Sequence, residues 1–235
     1  MDEHDTAAPM RGRPQPDRLS VAADPRLRIV ENPLSKALLA RARDRRTGIF
    51  EFGALATQLA SLLLWDACAD VELTETRVPN FAGDDIVVHT LAERVAGVAI
   101  LRAGLVFATP FRGMLPDAPL HQIGIRRDER SLRAIVYSDN LPSQPGWAER
   151  VLILDPMLAT GGSVVAALQH IHRSHAGRTD ILALIAAPVG VQAVLDADTS
   201  GRVFTAALDE RLDDRGYILP GLGDAGDRLF GTLGH

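Results

Sequence analysis

The residues from Val151 to Ser163 read Val-Leu-Ile-Leu-Asp-Pro-Met-Leu-Ala-Thr-Gly-Gly-Ser: an apolar run, one acid, a stretch of small residues, then the opening of a helical segment. That order builds an anion cradle. Gly161 and Gly162 let the backbone turn tightly and approach a ligand, and Thr160 and Ser163 offer hydroxyls. A helix starting there points free N–H groups and its positive dipole end at the same spot. Asp155 repels a phosphate but can accept hydrogen bonds from the hydroxyls of a sugar beside it. The implied ligand is a sugar phosphate. No lysine follows Gly162, as a P-loop requires, and no Gly-x-Gly-x-x-Gly opens the helix, as a dinucleotide fold requires.

A cradle of this kind needs a strand leading into it and a sheet to hold the strand. Val95–Leu101, Gln122–Ile125, Val151–Leu154 and Ile181–Ala186 are short apolar runs that read as buried strands. Helical stretches lie between several of them, over Leu105–Leu115, Gly162–His175 and Val189–Ala197. Ahead of the strands, Asn32-Pro33 marks a helix start, with Leu34, Leu38, Leu39 and Ala42 on one stripe until Gly48. A second helix carries Phe52, Leu55, Leu59, Leu62 and Leu63 up to about Asp70. Alternating strand and helix predict an α/β fold: a Rossmann-like open, mainly parallel sheet flanked by helices.

Three segments fit neither element. Residues 1–28, with Pro9, Pro14, Pro16 and Pro25, read as a flexible N-terminal tail, leaving 29–235 as one domain. Residues 128–149 are polar and turn-rich, long enough to predict a mobile lid. Residues 209–235 hold Gly216, Pro220, Gly221, Gly223, Gly226, Gly231 and Gly234, too many for a helix or central strand.

Composition excludes several classes of function. With 25 basic and 30 acidic residues the net charge is −5, which argues against a general affinity for nucleic acid. The lone Cys68 forbids an internal disulfide and a cysteine-based zinc site, and fits a reducing compartment. The acidic start Met1-Asp2-Glu3 and the lack of an apolar run of spanning length point to a cytoplasmic protein with no membrane partner. His170, His172 and His175 read as a solvated helix end rather than a metal site. Trp65 and Cys68 read as packing or subunit contacts, and Arg41, Arg43, Arg45 and Arg46 as a solvated face around Asp44.

The stretch Asp155-Pro156-Met157-Leu158-Ala159-Thr160-Gly161-Gly162-Ser163 after its apolar strand resembles the phosphoribosyl diphosphate signature of type I phosphoribosyltransferases, in the form found in uracil phosphoribosyltransferases. The C-terminal run from Gly216 through Tyr217, Ile218, Gly223, Asp224 and Ala225 to Thr232 is similar to the uracil-binding segment of that family. Ile100-Leu101-Arg102-Ala103-Gly104-Leu105 and Ile123-Gly124-Ile125-Arg126-Arg127-Asp128-Glu129 resemble two further blocks, in the family's order. The resemblance spans about residues 29–233 and implies a type I phosphoribosyltransferase fold with a glycine-rich base-binding segment.

What it implies about chemistry is the transfer of a phosphoribosyl group to uracil in pyrimidine salvage, a pentosyltransferase reaction giving UMP. Arg102, Asp155 and Asp224 take the catalytic positions. Arg102 and Arg127 face the diphosphate, and the run from Asp155 to Ser163, Pro156 included, holds the ribose and its 5′-phosphate. Tyr217, Ile218, Gly223, Asp224 and Ala225 face the base, largely through main-chain groups. Mg²⁺ is expected on the diphosphate near Asp224, homodimers or larger assemblies as the quaternary state, and GTP as an effector. Arg126 stands where the resemblance leads to an aromatic, Ala99 where it leads to proline, Val106 to glycine and Asp139 to lysine. These departures surround the diphosphate arginines and the lid. They are the support for an alternative reading, a nucleotide-sensing regulator that keeps the fold without turnover.

Overall fold

The computed structural model describes residues 15–127, 134–175 and 177–232. The chain opens with α1 (Arg18–Ala22), β1 (Leu27–Ile29), α2 (Pro33–Arg43) and α3 (Ile49–Ala67), followed by the hairpin β2 (Leu73–Pro79) and β3 (Asp85–Leu91). The middle of the chain holds β4 (Val95–Leu101), a 3₁₀ turn over Ala103–Phe107, α4 (Ala108–Met114), β5 (Leu120–Arg127) and β6 (Ala134–Asp139). After it come β7 (Arg150–Leu154), β8 (Met157–Leu158), α5 (Gly162–Ile171), β9 (Arg178–Ala183), β10 (Ile185–Ala186) and α6 (Pro188–Ala197). The C-terminal part supplies β11 (Val203–Thr205), β12 (Arg211–Leu212), β13 (Ile218–Leu219) and α7 (Ala225–Phe230).

Seven strands form the main sheet in the order β1-β11-β9-β7-β4-β5-β6. All neighbours run parallel except β5 and β6. All five residues of β7 are buried, so the strand needs apolar side chains on both faces, the continuous pattern that betrayed it in the sequence. On one side of the sheet α3 supplies Phe52, Leu55, Leu59 and Leu63 to a core shared with Leu152 and Leu154. On the other, Val164, Leu168 and Ile171 of α5 and Val191 and Val194 of α6 pack against Val151 and Ile153. The chain builds β4 to β6 outward one way and β7, β9 and β11 the other, so the order reverses between β4 and β7. In open α/β sheets ligands bind at that reversal, beyond the carboxyl ends of the strands.

The amino ends of the same strands are tied together by charge. Arg150, 2% exposed, places its guanidinium 2.8 Å from both Asp70 and Glu93. Arg178 and Arg202 reach Asp70 at 3.1 and 2.9 Å, and Arg178 also reaches Asp180 at 3.0 Å. Burial outweighs the pull of these arginines and pushes the Asp180 carboxyl up to about 6. The cluster joins the segment after α3 to the starts of β7 and β9 and the approach to β11.

α2 begins as the sequence predicts. Asn32 accepts from Leu34 and Ser35 N–H, and Ser35 Oγ accepts from Asn32 N–H, a capping box with Pro33 at the first turn. Leu34 is exposed and Ser35 takes a buried place on the core stripe.

The sequence-predicted tail over 1–28 is corrected in part. Residues 1–14 lie outside the described residues, while α1, capped by Asp17, buries Val21, and β1 pairs with β11. Both elements are too short to show periodicity. The predicted lid over 128–149 also divides. Residues 128–133 lie outside the described residues, β6 pairs antiparallel with β5, and the segment after β6 is pinned at Pro142 and Trp147 while residues 143–146 stay exposed. Trp147 stacks edge-on against His121 at 5.1 Å and tilts against His175 at 5.5 Å, and Ser174 Oγ donates to Pro142 C=O at 2.8 Å. The glycine-rich C-terminus, expected to lack regular elements, holds the β12/β13 pair and the six-residue α7.

Replacing Arg150 by methionine leaves Asp180 and Glu93 with less countercharge in a buried site. Urea unfolding should show a loss of about 3 to 5 kcal/mol, and an unchanged midpoint would refute the clamp.

Candidate active site

A cleft of roughly 610 Å³ opens at the reversal of strand order. Three stretches from distant parts of the chain wall it: Leu101, Arg102 and Ala103 at the end of β4, the loop from Asp155 into α5, and the C-terminal residues 215–218 and 223–226.

The loop comes from β7. Asp155 continues the strand by donating its N–H to Leu182 C=O, and β8 then pairs with β10, so the chain crosses the strand end before α5 starts. Gly161 caps α5 with φ +81°, and a Cβ there would sit 2.9 Å from Gly190 C=O, so glycine is required on both counts. The first-turn N–H groups of α5 have no helical acceptor, and Gly162, Ser163 and Val164 of that turn line the cleft. Asp155 has one weak local partner, the Met157 N–H at 3.4 Å. Burial pushes its carboxyl up to about 7, with the Met157 N–H pulling slightly the other way.

The C-terminal wall is held from α2. Arg43 pairs with buried Asp209 and donates to Gly221 C=O, while Asp209 also accepts from Gly221 N–H. Arg228 of α7 donates to the carbonyls of Ala42, Asp44 and Leu222 and lies 3.9 Å over the Phe52 ring. Asp213 accepts from Tyr217 N–H, closing the turn between β12 and β13. Asp224 caps α7, its Oδ1 accepting from Asp227 N–H at 2.9 Å. From the opposite wall, the Arg102 guanidinium lies 5.5 Å over the Phe230 ring of α7.

The cleft gathers Arg102, Asp155, Met157, Leu158, Ala159, Thr160, Gly161, Gly162 and Ser163 with Tyr217, Ile218, Gly223, Asp224 and Ala225. Pro156 is buried and does not line it. The Arg127 side chain lies outside the described residues.

Among the lining residues with polar side chains, three carried no assigned role in the sequence: Arg126, Tyr137 and Arg215. Tyr137 is the extra residue of a β-bulge, since Gly124 faces Ser138 and Ile125 faces Val136. Its ring lies where a Cβ on Gly124 would be, 2.5 Å from Cζ. Only the arginine pair at 126 and 127 hinted at Arg126.

Other readings change with the fold. Arg43 belongs to a partly buried anchor, not a solvated face. His175 is buried against Trp147, and His170 and His172 face Asp139 and Asp198 at 3.5 and 3.4 Å. Among the described residues, no three His, Cys, Asp or Glu side chains gather as a metal site. Trp65 is exposed, while the half-buried Cys68 packs against the core.

A doubly wound sheet whose switch point carries an acid, a Thr-Gly-Gly-Ser helix entry and an arginine on the adjacent strand defines the type I phosphoribosyltransferase class. Comparison with known proteins agrees. An adenine phosphoribosyltransferase from Trypanosoma brucei shares the fold, with a TM-score of 0.51 at 13% identity over 79% of this chain and 84% of that one. The AQ2163 protein from Aquifex aeolicus superposes with a TM-score of 0.81 at 35% identity, covering 88% of this chain and 98% of that chain. The uracil phosphoribosyltransferase of Thermus thermophilus is 43% identical over 208 residues, 88% of this chain and 99% of the relative. That of Deinococcus radiodurans is 42% identical over 206 residues, 87% and 97% of the two chains. The family model described as uracil phosphoribosyltransferase matches residues 29–232, and the chain belongs to that family.

Asp155 also makes a prediction for stability. Burial holds its folded pKa at about 7, well above the ordinary aspartate value, so folding favours the protonated acid. The stability this provides is full below the unfolded value and lost as pH rises through about 7. Thermal unfolding at pH 8 should therefore find Asp155→Asn more stable than the unaltered chain, by up to about 4 kcal/mol. A destabilised variant would contradict the burial cost.

Proposed function

We propose that this cleft joins uracil to 5-phospho-α-D-ribose 1-diphosphate, giving UMP and diphosphate. N1 of uracil forms the new bond to C1 of the ribose as the C1–oxygen bond to diphosphate breaks; the electron pair leaves with the diphosphate, and the N1 proton is released to solvent. Convergence of the β7 loop, the β4 arginine and the C-terminal segment on one cleft carries the reading. The α5 N-terminus suits the 5′-phosphate. Asp155 suits the ribose hydroxyls, whose donated hydrogen bonds favour its charged form, and that charge steadies positive character developing on the sugar. Arg102 can give two donors to the departing diphosphate. Tyr217, Ile218, Gly223 and Ala225 form the wall that would read the base.

Bound with the diphosphate, Mg²⁺ would supply positive charge to the leaving group. Asp224 fits as its protein ligand because Asp227 N–H occupies only Oδ1. With no three-ligand cluster among the described residues, phosphate oxygens and water would complete the shell, as is usual for this ion.

Self-association belongs to the same reading. Both strands of the β2/β3 hairpin are largely exposed, with Phe81 at the turn and Ile86, Val87 and Leu91 along it open to solvent. A lone hairpin is marginal in water, so a second copy of the chain is its natural cover. The reading extends to GTP as an effector and to the cytoplasm as compartment, both supported by family membership rather than by a contact in the fold. No helix among the described residues is long and apolar enough to cross a membrane.

Purified protein given uracil, phosphoribosyl diphosphate and Mg²⁺ should form UMP. Arg102→Ala and Asp155→Asn should each lower kcat/KM for the sugar substrate about 100-fold or more. The unaltered enzyme should show an acid limb in that parameter near pH 7, absent from Asp155→Asn; near-normal turnover in either variant would refute its role. Sedimentation should find a dimer or larger assembly, and a monomer when Phe81→Ser and Val87→Glu are combined. An assembly untouched by that pair would remove the hairpin from the interface.

A further inference from the structure

Arg126 has no part in the roles assigned above, yet it lines the cleft at the carboxyl end of β5. Strand register puts it beside Arg102. Leu101 pairs with Gly124, so Arg102 and Arg126 stand one step apart at the ends of adjacent parallel strands. Such strands lie about 4.8 Å apart, so two guanidinium groups rooted there can grip one small anion. The sheet order around the cleft is β9, β7, β4, β5, which sets Arg126 on the far side of Arg102 from the phosphate loop that follows β7.

Charge supports the same placement. Arg126 is exposed and, among the described residues, has no carboxylate at ion-pair distance, unlike Arg43, Arg150, Arg178 and Arg202, which all do. A guanidinium that lines a cleft and stays exposed is placed to meet an anion from solution.

We propose that Arg126 is a further diphosphate-contacting residue, beyond the two arginines the resemblance assigns, working beside Arg102 on the outer phosphate of the leaving group. This rests on the cleft acting as proposed above. Arg126 contributes to affinity for phosphoribosyl diphosphate and for released diphosphate. It contributes nothing to UMP, which lacks that group.

Product inhibition separates the two cases. For Arg126→Met, the inhibition constant of inorganic diphosphate and the KM of phosphoribosyl diphosphate should rise about tenfold to hundredfold, the usual span for a hydrogen bond to a charged group. The KM of uracil and the inhibition constant of UMP should stay within about twofold, and Arg126→Lys should recover part of the loss. Because the side chain is exposed, melting temperature should not move. An unchanged diphosphate constant, or equal weakening of diphosphate and UMP, would overturn the proposal. Failure of the unaltered protein to form UMP would instead overturn the reading of the cleft, and calorimetric titration with diphosphate would still measure what Arg126 does.

Discussion

Burial on both faces is the constraint from which the rest of this structure follows. A parallel strand flanked by helices on either side can offer ligands nothing along its length, so its chemistry is confined to its ends. Here the amino ends are occupied by mutually paired arginines and acids around Arg150 and Asp180. That leaves the carboxyl ends for a ligand, and they part only between β4 and β7, where strand order reverses. Arg102 and Asp155 both line that parting because each is the first residue after its strand.

The third wall does not belong to the sheet. Residues 215–226 carry too many glycines to hold themselves in place, and their rigidity is borrowed from α2. Arg43 ties Asp209 and Gly221 to it, and Arg228 fills the carbonyls left open where α2 ends. A helix C-terminus thus becomes the socket for a distant loop, its unmet carbonyls answered by an arginine some 180 positions away in sequence. The long apolar faces of α2 and α3 serve the site in this way without touching it.

Much of the fold and a good part of the site could be read from residue order alone, for a local reason. The strand, acid, glycine pair and helix from Val151 to Ser163 are contiguous, as are the Asn32-Pro33 helix start and the apolar runs of β4 and β9. What escaped reading depends on contacts between distant segments. Arg43 reads as one of several surface arginines until Asp209 is brought to it. The β2/β3 hairpin is exposed on most of its length and lacks the half-buried alternation that marks a strand. β6 exists because β5 offers it an edge, and the bulge that turns Tyr137 over Gly124 is a property of the pair, not of either strand. Leu34 fits the periodicity of α2 and still faces solvent, because the capping box rotates Ser35 into the core position beside it.

The contact between Arg102 and Phe230 joins two walls that otherwise share no strand. One face of the guanidinium rests on the ring, while its edge, where the N–H donors lie, stays open to the cleft. The helix that follows the base segment therefore also carries the ring on which Arg102 rests. Thermodynamic linkage makes such a connection reciprocal: whatever one occupant gains from finding the other in place is returned in equal measure. The Phe230 ring is thus the point at which the base-facing and diphosphate-facing walls of the cleft touch.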